Sequence, residues 1–149
     1  MRTVPVLLLL LVAGCAGEPG CGPTTSQSCD ADRTTAGLVA GRWRTLDAPA
    51  GLSLTLQLTA NGTTLVGKGF LASGSAAVPA DVRGSVTWRE PLATPAGPSP
   101  AGPLVILDLS LSGGGTARFD QGSMKGDTLL GALTLSTDPT RSYGISLVR

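Results

Sequence analysis

The feature that most constrains the fold is an alternation of apolar and polar residues in the middle third of the chain. Leucine occupies every second position from Leu52 to Leu58, with serine, threonine and glutamine between. Successive side chains of a β-strand point to opposite faces, so this pattern is typical of a strand with one buried face. Asn61-Gly62 follows, the strongest short hairpin signal, because both turn positions need a positive φ. The chain returns through residues 64–71, and we predict a β-hairpin.

Similar strand signals recur along the rest of the chain, and no helix pattern is convincing. Further strands are predicted around 42–44 and at 82–88, 104–111, 116–120, 127–135 and 143–149. Turns between the last strands are assigned to Gly122, Gly126, Asp138 and Pro139. About eight strands at hairpin-like spacing predict an all-β domain. We expect an up-and-down antiparallel β-barrel, with a Greek-key β-sandwich as the alternative.

One segment between two of these strands is rich in proline. Residues 91–103 carry five prolines, and proline cannot donate to a central ladder of a sheet. We predict a long stiff loop here, extended in part as polyproline II. A ligand for a proline-recognition module is the alternative.

The composition argues against catalysis. The sequence contains no histidine, and aromatic residues make up only 3% of it. Histidine is the commonest general base and metal ligand, and aromatic side chains build ligand cages. Asp108 is the carboxylate most closely flanked by apolar residues, yet it alternates with Leu107 and Leu109 and so should face solvent. We therefore predict a protein that is not an enzyme, with no metal and no cofactor.

The N-terminus has the pattern of a secretory signal peptide. Arg2 precedes a leucine run at residues 7–11, and small residues then lead to Cys15. The apolar run from Val4 to Ala13 is too short to cross a membrane, which takes about 20 residues. The ending Val12-Ala13-Gly14-Cys15 resembles the lipobox of bacterial lipoproteins.

The lipobox resemblance implies an anchored protein. Residues 1–14 would be removed, and Cys15 would carry a diacylglyceryl group, with palmitate as an expected acyl chain. More than one chain suffices for stable membrane attachment. Ala16 stands where many lipoproteins of the inner membrane have aspartate. The expected location is thus the cell envelope, with the outer membrane favoured in a cell that has two membranes.

Composition also predicts how the exported chain is divided. Residues 15–37 contain no apolar run and are expected to form a lipidated, flexible tether, followed by the barrel at 38–149. Arg2 leaves with the signal peptide, so ten basic and ten acidic residues remain. A mature chain of zero net charge offers no basic stripe for nucleic acid.

Once Cys15 is lipidated, Cys21 and Cys29 are left as a pair. In an oxidising compartment their even number favours a disulfide, with two free thiols as the alternative. A metal site made of two cysteines without histidine is improbable.

Gly41-Arg42-Trp43 lies at the opening of the first predicted strand. A Gly-x-Trp at the start of an eight-stranded barrel resembles the calycins, which include lipocalins and avidins. In lipocalins an arginine near the end of the chain packs across this tryptophan and closes the base of the barrel. The resemblance implies this role for Arg149 over Trp43. The middle lipocalin motifs are not visible, and too few tryptophans are present for a biotin pocket.

These observations lead to two functional hypotheses. The first is a membrane-anchored envelope lipoprotein whose barrel has a non-catalytic scaffold or protein-interaction role, with envelope protein or polysaccharide as partner. The alternative is a carrier of a small apolar ligand inside the barrel, with Trp88 as the candidate ligand contact near a mouth. Core packing is the other interpretation of Trp88. The filling of the barrel interior distinguishes the two functions.

Overall fold

In the computed structural model, eight antiparallel strands close into a barrel. The structure describes residues 26–49, 51–94, 97–99 and 101–149, and among these the side chains of 26–29 and 92–100 are left undescribed. Helix α1 spans Ser26–Val39. The strands are β1 Gly41–Asp47, β2 Leu52–Asn61, β3 Thr64–Ser73, β4 Ala76–Arg89, β5 Leu92–Thr94, β6 Gly97–Ser99, β7 Gly102–Leu111, β8 Thr116–Lys125, β9 Thr128–Leu135 and β10 Asp138–Val148.

The topology confirms the up-and-down barrel and rules out the sandwich. Each barrel strand pairs with its neighbours in the chain, and β1 pairs with β10 to close the sheet. The two-stranded sheet of β5 and β6 stands apart, between β4 and β7. All eight predicted strands are present, although several are longer than predicted.

The closing strand β1 is held on both sides. It pairs with β2 from Gly41 to Arg44. Beyond Arg44, the Thr45 side chain hydrogen-bonds the backbone of β2. Its hydroxyl accepts a hydrogen bond from the Leu54 N–H at 2.6 Å and donates one to the Leu54 carbonyl at 3.1 Å. On the other side, Arg44 pairs with Val148 and Thr45 with Leu147.

Apolar side chains from every barrel strand fill the interior. In β2, Leu54, Leu56 and Leu58 are buried while the residues between them are exposed, as the alternation predicted. The buried set has members from all eight strands: Trp43, Leu54, Leu65, Val82, Leu107, Phe119, Leu133 and Leu147. Because the helix and the strands from residue 26 onward supply this core themselves, this part of the chain can fold as one unit.

Helix α1 is a departure from the sequence prediction. The tether prediction for residues 15–37 is wrong for residues 30–37, because they belong to this helix, which packs on β2, β4 and β7. Its buried residues are Asp32, Thr35, Ala36 and Val39, which have the spacing of one helix face. Two of the four are polar, so a search for apolar periodicity does not find this face.

The proline-rich segment also differs from its prediction. β4 and β7 continue pairing as far as Arg89 and Gly102, and β5 pairs with β6 beyond them. The segment is therefore largely a hairpin extension in place of the predicted polyproline loop. Of the prolines whose side chains the structure describes, Pro91 precedes β5 and Pro103 is the second residue of β7, positions where a missing N–H costs little.

Three turn assignments also need correction. The first hairpin turns at Gly62 and Thr63, one residue later than predicted, and Gly62 has a φ of 60°. Gly122 lies inside β8 at a bulge, and Asp138 and Pro139 lie inside β10. Gly126 is a turn residue, as predicted.

The packing predicts a sharp contrast between two glycines in adjacent strands. A methyl group at Gly131 would contact the ring of the fully buried Phe119, whereas one at Gly144 would meet nothing within 4 Å. We expect Gly131→Ala to lower the free energy of unfolding by about 1–3 kcal/mol. Gly144→Ala should be neutral or stabilising by up to about 1 kcal/mol. Urea denaturation measures both, and equal losses would contradict this packing.

Candidate functional site

The structure brings together Trp43 and Arg149, the two residues that the calycin resemblance pairs. The guanidinium carbon of Arg149 lies 5.1 Å from the centroid of the Trp43 ring. The indole N–H of Trp43 donates a hydrogen bond to the Val39 carbonyl at 2.7 Å. Trp43 thus connects the end of α1, strand β1 and the end of β10. Because Arg149 is exposed, we assign the cation–π contact about 0.5–1 kcal/mol.

Helix α1 covers the barrel end at which Trp43 lies. Trp88 is partly buried at this same end, where its backbone hydrogen-bonds Asp32 of the helix. Trp88 also pairs with Pro103 across β4 and β7. The tryptophan suggested as a ligand contact therefore lies beside a covered end, and its proposed ligand role stays a prediction.

Asp32 is a buried carboxyl group in the contact between helix and barrel. Its Oδ1 atom has no hydrogen-bond partner among the described residues. Burial raises the pKa of Asp32 above its ordinary value, and the hydrogen bond with the Trp88 backbone offsets part of this rise. Asp32 lies on the face of α1 that packs against the barrel, so the stability of the contact between helix and barrel depends on pH.

The opposite end of the barrel has a shallow cavity. It has a volume of about 270 Å³ and is lined by Leu71, Leu111, Leu135 and residues of the adjoining turns. Between this rim and the helix, the buried leucine, valine and phenylalanine side chains occupy the interior. A ligand inside the barrel would have to displace part of this core.

A larger groove, about 410 Å³ in volume, lies across β1, β2 and β3. We call it the cationic groove. Three rows of paired residues form it: Trp43–Leu56–Gly69, Arg42–Gln57–Lys68 and Arg44–Thr55–Phe70. The first row directs its side chains into the barrel, so that only its backbone forms the floor, and the other two rows are exposed on the outer face. Arg149 completes the lining.

The groove concentrates positive charge. Its lining includes Arg42, Arg44, Lys68 and Arg149 and no acidic side chain, although Asp81 of β4 lies directly opposite Lys68. Within the part of the chain that the structure describes, the first three of these cations have no ion-pair partner. Elsewhere on the barrel, by contrast, Arg118 lies 3.1 Å from Asp108.

The Asp108 carboxylate is exposed and accepts this hydrogen bond from Arg118. Its exposure agrees with the alternation of β7, and its ion pair with Arg118 is a finding of the structure. Residues 26–49, 51–94, 97–99 and 101–149 contain no cluster of three potential metal-ligating side chains. Over the same residues, no helix is long and apolar enough to span a membrane.

Other predicted sites cannot be located. Cys15 and Cys21 lie outside the described residues, as does the side chain of Cys29. The lipidation and the disulfide therefore stay predictions. Comparisons with protein-family models, curated proteins and solved structures find no match to this chain.

Sequence reasoning missed the cationic groove. The turn at Gly62 and Thr63 places Gln57 opposite Lys68, whereas the predicted turn at Asn61-Gly62 would have placed Gln57 opposite Val66. The outward positions of β1 then add Arg42 and Arg44 on the other side of β2. Strands considered one at a time do not show this grouping.

The buried carboxyl group predicts a pH-dependent stability. In the unfolded chain Asp32 titrates near its ordinary value of 3.8, and in the folded protein its pKa is higher. Between these two values the folded state binds more protons, so the free energy of unfolding falls as pH rises through this window and is level above it. Asp32→Asn removes this titration, while its amide oxygen can still accept the backbone hydrogen bond.

We therefore expect the stability of Asp32→Asn relative to wild type to increase from below pH 3.8 to neutral pH. Urea denaturation of both proteins across this range measures the difference. A difference that stays constant, or that decreases toward neutral pH, would contradict the burial argument.

Proposed function

We propose that this protein is a lipid-anchored lipoprotein of the cell envelope whose barrel is a non-catalytic interaction domain. The barrel would contact envelope protein, polysaccharide or lipid with its outer surface. The observation that carries this proposal is the filled interior, which is covered by α1 at one end. Protein interiors pack at the density of organic crystals, so a core of this kind has little room for a ligand.

This observation favours the interaction role over the apolar carrier. Carrier barrels hold their ligand in a concave, largely pre-formed pocket, typically of about 300–1,000 Å³. The rim cavity, at about 270 Å³, lies at the edge of the barrel. The larger recess, about 410 Å³, lies on the outer face of β1–β3.

Catalysis receives no support from the titratable groups that the sequence singled out. Asp108 is solvated and paired with Arg118. Asp32 is buried between the helix and the barrel, where its carboxylate meets the Trp88 backbone. A catalytic group has to reach a substrate, and neither carboxylate lines the cationic groove or the rim cavity.

The anchor rests on the similarity of Val12-Ala13-Gly14-Cys15 to a lipobox. Ten residues separate Cys15 from Ser26 at the start of α1. A chain of this length spans at most about 35 Å, so the domain would stay close to the bilayer surface. The lipobox resemblance implies the outer membrane, because Ala16 stands where many lipoproteins of the inner membrane have aspartate.

Metabolic labelling with an alkyne-bearing palmitate tests the anchor. We expect the full-length protein to incorporate the label and to fractionate with membranes. Cys15→Ser should abolish labelling, because the variant lacks the thiol to which the lipid would be attached. Cys21→Ser is the matched control and should be labelled like the wild type.

Two results would refute the anchor. One is an unlabelled wild-type protein, and the other is a Cys15→Ser protein that is labelled as strongly as the wild type. Labelling is the decisive measurement, because a Cys15→Ser protein that keeps its signal peptide could still fractionate with membranes.

A further inference from the structure

We propose that helix α1 is a detachable part of the membrane tether. While α1 is docked it holds the barrel close to the anchor, and when it undocks the barrel reaches farther from the membrane. This inference rests on the proposed lipid anchor at Cys15 and concerns the distance at which the outer face of the barrel meets its partner. Three properties of α1 carry it, namely its contact with the barrel, its sequence and its place in the chain.

The contact between α1 and the barrel is small and partly polar. Its buried face consists of Asp32, Thr35, Ala36 and Val39. The free energy gained on burial scales with apolar area, so Ala36 and Val39 stabilise this contact less than leucines would. The Oδ1 atom of Asp32 has no hydrogen-bond partner among the described residues, and the burial of an unpaired polar atom opposes docking.

Hydrogen bonds hold the docked helix at two points that the structure shows. The Trp43 indole donates one to the Val39 carbonyl at 2.7 Å, and the Trp88 backbone contributes one to the Asp32 carboxylate. When the helix leaves, water can take the place of each lost partner, so the net contribution of such bonds to docking is modest.

The sequence of α1 gives the helix little stability of its own. It has 14 residues, and isolated helices of this length are marginal in water. Thr34, Gly37 and Val39 have low helix propensity. The Thr34 hydroxyl also donates a hydrogen bond to the Asp30 carbonyl at 2.8 Å, an arrangement that slightly destabilises helices. Undocking should therefore unfold the helix as well.

In the chain, α1 lies directly between the proposed anchor and the barrel. While the helix is docked, ten residues separate Cys15 from Ser26 and span at most about 35 Å. Once it has undocked and unfolded, 25 residues separate Cys15 from Gly41 and span at most about 90 Å. Undocking therefore more than doubles the longest distance between the barrel and its anchor.

The closure of the barrel does not use α1. The eight barrel strands pair with one another in a closed sheet, and Arg149 lies over the Trp43 ring independently of the helix. The departure of α1 should therefore leave the barrel folded.

Hydrogen exchange in a chain of residues 16–149, followed by NMR at neutral pH, tests whether α1 opens on its own. This chain contains α1 and every strand of the barrel. We expect the amides of α1 to be protected at least about 100-fold less than those of β7–β9, because they exchange by local opening. Low concentrations of urea should accelerate exchange strongly in β7–β9 and only slightly in α1, since local opening exposes little surface.

Two substitutions at neighbouring positions test the contact itself. Ala36 is fully buried, so Ala36→Glu places a charge in the contact and should lower the protection of α1 by at least about tenfold. The amides of β7–β9 should stay protected. Gly37→Glu is the matched control, because Gly37 is exposed and a Cβ there meets nothing within 4 Å. Its α1 protection should stay within about threefold of wild type, since the gain in helix propensity and the unfavourable helix dipole oppose each other.

Energy transfer from Trp43 and Trp88 to a dansyl-labelled lipid measures the reach. A chain of residues 15–149 with Cys21→Ser and Cys29→Ser keeps Cys15 as its single thiol, which is coupled to a maleimide phospholipid in vesicles. We expect a lower transfer efficiency for Ala36→Glu than for Gly37→Glu, because the r.m.s. length of the tether increases with the number of residues in it. Each efficiency is referred to the same protein on vesicles without dansyl.

Three results would overturn the inference. Equal protection and equal urea dependence in α1 and β7–β9 would show that the helix opens only when the whole domain unfolds. Loss of protection in β7–β9 of Ala36→Glu would show that the barrel needs the docked helix. Equal transfer efficiencies in the two variants would show that undocking leaves the reach unchanged. None of these measurements uses lipid attached by the cell, so failure of the detachable helix is distinguishable from failure of the anchor, which palmitate labelling measures.

Discussion

The pairing of β1 with β10 is the constraint on which the rest of the structure depends. Without it the sheet would have two exposed edges, which are templates for pairing with other chains. The ladder is short, running through Arg44–Val148 and Thr45–Leu147. Trp43 strengthens it from inside the barrel, because its ring lies under Arg149 and its indole binds the last turn of α1. Closure and the covering helix therefore depend on the same side chain.

Closure determines where the protein can bind a partner. A small closed sheet directs half of its side chains inward, and here those side chains are large enough to fill the space. Backbone groups of the barrel strands are used in ladders, and α1 covers one end. Side chains on the outer face are what is left for recognition. On that face Arg118 pairs with Asp108 and Asp120, whereas Arg42 and Arg44 in the cationic groove have no ion-pair partner among the described residues.

Much of the fold could be predicted because most strands have a local sequence signal, namely the alternation of apolar and polar residues. Alternating leucines and a glycine turn predict the β2–β3 hairpin, but the turn lies one residue later than predicted, so the cross-strand register differs by two residues. Sequential hairpins lead directly to an up-and-down barrel. Where the alternation is interrupted, the prediction failed. β8 was predicted to end at Asp120, yet it continues past Gln121, which has a φ of 52° at a bulge.

The remaining features depend on contacts between distant segments. Helix α1 was missed because two residues of its buried face, Asp32 and Thr35, are polar. They are buried by contact with the barrel, and the sequence of the helix has no apolar pattern that would predict this contact. The pairing of Lys68 with Gln57 in the groove was missed because the predicted turn lies one residue too early. That Arg42 and Arg44 join them depends on the pairing of β1 with β2, which no local turn specifies. The contact of Trp43 with Arg149 was suggested by the calycin resemblance and is present in the structure.

The filled interior is the central claim, and xenon tests it most directly, since xenon enters dry apolar cavities in proteins. Methyl NMR spectra of the protein under xenon pressure would report on Leu54, Leu107 and Leu133, which lie in the middle of the core. The structure predicts that these methyl signals do not shift, while those of Leu71 and Leu111 at the rim cavity do. Saturable xenon shifts at Leu54, Leu107 and Leu133 would show a hollow barrel and contradict the account.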